Sequence, residues 1–121
     1  VAKEKRVVSW RKEGATLVGS FRTAHLNDFR QTDALRTQLA ATLTEPAVRG
    51  VALDCSGVVY LISEVFGIFI QAHKEQRAAG RRLALCGIEP EVMELLKANR
   101  LDGYLLLEPD VASAVAAVEA D

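Results

Sequence analysis

A chain of 121 residues, half of them hydrophobic and 26% charged, can bury a core of its own, and its length fits one compact domain over 1–121. A formal net charge of −1 argues against bulk attraction to nucleic acid or to an anionic membrane surface, and no apolar run approaches the roughly 20 residues of a membrane helix. No signal-peptide pattern opens the chain, and Cys55 and Cys86 are too few for a disulfide framework and match no zinc spacing; both are expected as reduced thiols of a cytoplasmic protein.

In chain order, apolar and polar residues alternate loosely from Val7 to Trp10, Lys12-Glu13-Gly14 supplies a turn, and Ala15 to Phe21 alternates again. That pattern predicts an antiparallel hairpin. Asn27 or Asp28 can cap a helix whose inward stripe is Phe29, Leu35, Leu39 and Leu43. Glu45-Pro46 and Gly50 end it and lead into a short buried strand, Val51 to Leu53. Ser63 as N-cap and Gly80 as stop predict a helix over 64–79. Leu83 to Leu85 reads as the next buried strand. Pro90 opens a helix with Val92, Leu95 and Leu96 inward, Leu105 to Leu107 reads as a last short strand, and Pro109-Asp110 introduces a helix carrying Val111, Val115 and Val118. A hairpin followed by alternating helices and short apolar strands implies an α/β fold, a largely parallel sheet of four or five strands covered by about four helices.

The most informative stretch is Asp54-Cys55-Ser56-Gly57-Val58-Val59-Tyr60-Leu61-Ile62-Ser63-Glu64-Val65-Phe66-Gly67. It leaves a strand at Asp54, turns through Ser56-Gly57 and enters a helix near Ser63. The stretch resembles the signature of STAS domains, whose best-known members are bacterial anti-sigma factor antagonists. There it reads roughly Asp-Leu-Ser-Gly-Val-x-x-Ile-Asp-Ser-Ser-Gly-Leu-Gly, and the second serine of the pair is the regulatory phosphorylation site. Gly80-Arg81-Arg82-Leu83-Ala84-Leu85, and Pro90-Glu91-Val92 with Leu101-Asp102, are similar to later family segments. The resemblance spans nearly the whole chain and implies the STAS fold.

At the phosphoserine position this chain carries Glu64; Ile62 replaces the usual aspartate and Val65 the usual glycine. The first turn of a helix presents unpaired N–H groups and the positive end of its dipole, so an anion is tolerated there. A phosphate would add about −1.5 to −2 charges at that spot. Glu64 supplies one fixed charge and nothing to exchange. It can mimic the phosphorylated state, offer a constitutive contact to a basic group on a partner, or serve only as a favourable first-turn acid. Ser63 is a substitute phosphosite in principle, but as an N-cap its hydroxyl would be engaged.

The resemblance places the partner surface at Asp54, Ser56, Gly57, Val58, Ser63, Glu64, Val65, Phe66 and Gly67. Asp54, Ser56 and Gly57 also have a plain role in turn chemistry, and Gly67 one in close helix–sheet packing. Val65, Phe66, Ile68, Phe69 and Ile70 are nearly continuous, which reads either as an exposed apolar strip or as a deeply buried helix. His73, with Lys74-Glu75-Gln76-Arg77, is assigned to a polar helix face, and Arg81-Arg82 to a solvated strand entry.

Neither a P-loop nor Gly-x-Gly-x-x-Gly is present, and His25 and His73 stand beside no evident nucleophile or metal partner. Asp54 lacks the acidic pair and lysine that a response-regulator phosphoacceptor needs. The expectation is a non-enzyme without cofactor or metal that neither binds nucleic acid nor inserts into a membrane. By resemblance it binds an anti-sigma factor of the serine-kinase type or another regulatory protein, with a homodimer also open. The alternative is a STAS scaffold or transporter-associated subunit that is never phosphorylated. Small-ligand or nucleotide binding rests on fold analogy alone.

Overall fold

The computed structural model describes residues 7–120. Strands β1 (Val8–Glu13) and β2 (Thr16–Phe21) form the antiparallel hairpin, in register from Val8 opposite Phe21 to Glu13 opposite Thr16. Gly14 turns it at φ +59, a left-handed backbone that costs glycine little. Polar Arg11, Lys12 and Glu13 belong to β1 because it is an edge strand, where charge discourages pairing with other chains.

The chain then runs β3 (His25–Leu26), α1 (Phe29–Ala41), a 3-10 turn (Thr42–Thr44), β4 (Gly50–Asp54), β5 (Tyr60–Leu61), α2 (Ser63–Ala78), β6 (Arg82–Cys86), α3 (Pro90–Ala98), β7 (Leu106–Glu108) and α4 (Val111–Glu119). The main sheet has the order β1-β2-β4-β6-β7, parallel from β2 onward, as the alternating sequence predicts. β3 and β5 make a small parallel pair of their own.

Alternation along the central strands sorts the two faces. Val51 and Leu53 of β4, with Leu83 and Leu85 of β6, point into the larger core under α1, α2 and α3. Ala52 and Ala84 point the other way, and their small side chains let α4 settle closely through Ala114 and Val118. α2 fills the middle of the larger core, so Val65, Phe66, Ile68 and Phe69 are all buried and Ile70 half-buried. The apolar run in α2 is therefore core and leaves no exposed strip.

Capping sets the phase of α1. Asp28 accepts a bond from Gln31 N at 2.9 Å, and Gln31 Oε1 accepts from Asp28 N at 3.2 Å, a reciprocal capping box. The buried line is then Thr32, Leu35 and Leu39. Phe29, expected inward, stands at the first helical position, a turn before that line, and is 73% exposed. Leu43 is only half-buried, since it falls in the tighter 3-10 turn. In α3 the buried line is Val92 and Leu96; Leu95, about 100° around the helix from Leu96, faces outward. Among the described residues no helix is long and apolar enough to cross a membrane.

Candidate functional site

The loop after β4 is built from its own polar atoms. Cys55 N donates to Cys86 O at 2.8 Å, extending the β4–β6 pairing by one bond. Asp54 Oδ1 accepts from Ser56 N at 3.0 Å and from the Ser56 hydroxyl, which fixes an Asx-type turn. Gly57 follows at φ +83, and its N–H donates to Glu89 Oε2 at 2.8 Å, tying the loop to the entry of α3. Val59 N and Tyr60 N both donate to Ala24 O, and Ile62 N to Leu26 O at 3.0 Å. The segment reaches α2 already fastened to β3.

That fastening moves the helix cap. Ile62 is the extended N-cap residue (φ −82, ψ 156), and its carbonyl accepts from Val65 N at 2.9 Å. Ser63 is the first helical residue. It is exposed and caps nothing, contrary to the sequence expectation, because a residue already inside the helix cannot reach back to its first N–H groups.

Glu64 is the one acidic residue in the first turn of α2, with its side chain 44% exposed. Its Oε2 lies 3.1 Å from Arg36 Nη2 on α1, and Arg36 Nη1 lies 3.5 Å from Asp33 Oδ1. Behind this pair a groove of about 100 Å³ runs between the helices, lined by Leu39, Gly67, Ile68 and Ala72. Gly67 does not pack against the sheet as expected: it is exposed, and a Cβ placed there would meet nothing within 4 Å.

The predicted surface therefore divides. Ser56, Gly57, Ser63, Glu64 and Gly67 are exposed, and Asp54 is half-buried. Val58, Val65 and Phe66 turn inward, at 2%, 0% and 7% exposure, so their side chains shape the core below and offer a partner no contact. Sequence reasoning missed Arg36 and Glu89, which reach the stretch from other elements. It also missed Val59 and Tyr60, both exposed, whose outward position the alternation Val58 to Leu61 could have revealed.

The thiols are buried and free, and both point at Leu53 O, at 3.7 Å from Cys55 Sγ and 3.5 Å from Cys86 Sγ. Burial, reinforced by the Asp54 charge, pushes Cys86 up to about 11; burial pushes Cys55 higher still, with Cys86 and Asp54 adding to it. Neither is a nucleophile near neutral pH. His73 is not on a polar face. It is buried, with its ring edge-on to Tyr104 at 5.0 Å, and desolvation followed by the Arg77 charge lowers its pKa. Arg81 and Arg82 are likewise not merely solvated: Arg81 donates to Thr42 O and Glu45 O, and Arg82 to Ala117 O.

No curated protein matches the chain. Among solved structures it is similar to an anti-sigma-factor antagonist (STAS) domain protein from Planctomyces limnophilus, with a TM-score of 0.81 and 19% identity over 93% of this chain and 98% of that one. It is also similar to the Bacillus cell fate determinant SpoIIAA in its phosphorylated form, at TM-score 0.69 and 14% identity over 93% and 99%. A serine-to-glutamate variant of RsbS from Moorella thermoacetica gives TM-score 0.74 and 17% identity over 93% and 94%. At such identities these likenesses establish the fold. The STAS domain family model matches residues 10–114, and the chain belongs to the STAS domain family.

Proposed function

We propose that this protein is a non-enzymatic regulatory module that resembles an anti-sigma factor antagonist and acts by binding another protein in a partner-switching type of pathway, with residues 1–121 as one domain. The observation that carries the proposal is Glu64: an exposed carboxylate in the first turn of α2, beside Ser63, in a segment whose preceding loop is tied by Asp54 and Glu89. That is a preorganised polar surface, and preorganisation lowers the ordering cost of association.

Of the three roles open to Glu64, we favour the constitutive contact. Arg36 answers its single charge while also reaching Asp33, so the cluster keeps one net negative charge, whereas a phosphoserine would leave a larger excess. A partner would read Arg36 and Glu64 together, as a fixed cation–anion pair. The partner class implied by the STAS likeness is an anti-sigma factor of the serine-kinase type or a regulatory protein in its place.

Titration calorimetry against such a partner tests the reading. Glu64→Gln is expected to weaken binding about tenfold or more, the weight of one charge-assisted contact at an interface. Intact mass after incubation with the partner and ATP should show no added phosphate. Undiminished affinity in Glu64→Gln, or a phosphate on Ser63, would overturn the proposal.

A further inference from the structure

At the C-terminal end of α2, about 20 Å along the helix from Glu64, a second cleft opens between the helix and the start of β6. Its volume is about 380 Å³, within the range of small-molecule sites, and His73, Arg77, Arg81 and Arg82 line it with Leu83 and Leu106. Two independent features of this cleft lack an internal explanation.

The first is charge. Among the described residues, no carboxylate lies within 4.0 Å of the Arg77, Arg81 or Arg82 guanidinium groups. Among the described residues the Arg81 guanidinium donates to the neutral carbonyls of Thr42 and Glu45, and that of Arg82 to the carbonyl of Ala117. Among the described residues the Arg77 guanidinium has no hydrogen-bond partner. Glu119 is committed elsewhere, accepting from Ala15 N at 3.0 Å and from the Thr16 hydroxyl at 2.6 Å. Three neighbouring positive charges without a counter-ion repel one another, and guanidinium groups are the side chains best shaped to hold an oxyanion.

The second is His73. The residue is only 8% exposed, yet neither Nδ1 nor Nε2 has a hydrogen-bond partner. Buried polar atoms are almost always satisfied, and an unsatisfied one calls for an explanation. Nor do the carbonyls closing α2 compete for its proton: Gln76 O accepts from Arg81 N at 2.8 Å, and Arg77 O from Gly80 N at 3.0 Å.

We propose that this cleft binds a phosphoryl group of a small ligand, gripped by Arg77 and the free N–H groups of Arg82, with His73 as the hydrogen-bonding group at the back. Arg81 adds its charge to the field. The ligand is either a free phosphorylated metabolite or the headgroup of an anionic lipid. The site is independent of the proposed partner surface at Glu64.

Inorganic pyrophosphate, added at low ionic strength to the isotope-labelled protein, should shift the His73 ring signals and the amides of Gly80 and Arg82. Arg77→Gln, a change at an exposed position, should weaken that binding about tenfold or more, and Glu64→Gln should leave it unchanged. Retention on phosphatidylglycerol vesicles, but not phosphatidylcholine vesicles, with the same dependence on Arg77, assigns the headgroup. Pyrophosphate binding without vesicle retention assigns the soluble ligand. If neither probe moves the His73 signals, or Arg77→Gln binds like the unaltered protein, the site does not exist.

Discussion

Arg36 and Glu64 stand 28 residues apart in the chain, yet their side chains meet at 3.1 Å and bridge α1 and α2 above the groove that Gly67 leaves open. The pair is about half exposed on both sides, so water and salt screen it. Its effect on folding should be small and its effect on recognition large. Arg36→Ala and Glu64→Gln should each change unfolding free energy by less than about 1 kcal/mol, with a coupling of roughly 0.2–1 kcal/mol in the double-mutant cycle. Urea unfolding of the four proteins measures this. A coupling well above that range would mean the pair is a structural clamp.

Two glycines separate backbone need from helix cost. Gly50 sits at φ +152 beside β6, and a Cβ there would lie 2.0 Å from Arg82 O. Gly50→Ala should destabilise the protein by more than about 2 kcal/mol, because backbone, not a flexible side chain, would have to move. Gly67 lies inside α2 with open space around it, so Gly67→Ala should stabilise by roughly 0.5–1 kcal/mol. Urea midpoints moving in opposite directions are the expected result. A loss of stability in Gly67→Ala would restore a packing role to that glycine.

Features written locally were legible in the sequence. Asp28, one of the two caps the sequence offers, begins α1, Gly80 marks the end of α2, and Val51 to Leu53 form the short buried strand. Features that depend on distant partners were not. The hydrogen bond from Ile62 N to Leu26 O displaced the cap of α2 by one residue, and nothing near Ser63 announces it. The continuous apolar run of α2 carries no sidedness, so periodicity could not tell an exposed strip from a helix enclosed by α1 and the sheet. Arg36, which pairs with Glu64, lies on another helix.

Arg81 shows the same limit and yields a prediction of its own. It stands just before β6 and directs its two terminal nitrogens to Thr42 O at 3.0 Å, which also accepts from Glu45 N, and to Glu45 O at 2.9 Å, so it ties the turn after α1 to the start of β6. Gln76 Nε2 adds a bond to the Thr42 hydroxyl at 2.9 Å. A lysine keeps the charge but lacks the planar fork that spans both acceptors. Arg81→Lys should therefore cost about 1–2 kcal/mol in unfolding free energy, against a smaller loss for Arg82→Lys, which gives up a single bond to Ala117 O. Equal losses at the two positions would show that charge, and not fork geometry, matters there.

The buried imidazole of His73 contributes to the acid side of stability. Desolvation first, and the Arg77 charge second, lower its folded pKa below the ordinary 6.5, so the native state holds the ring neutral while the unfolded chain takes up a proton. Stability from this group is complete above pH 6.5 and declines as pH falls from there through the folded value, since the unfolded state binds more protons over that window. The urea midpoint should drop between pH 6.5 and 5, and in His73→Leu that segment of the profile should flatten, whatever the variant loses at pH 7.5 from its contact with Tyr104. If the slope persists in the variant, other groups carry the acid response. Pyrophosphate in the second cleft should raise the midpoint and also flatten that segment, because an anion beside the ring favours its protonated form and brings the folded pKa back toward the unfolded value.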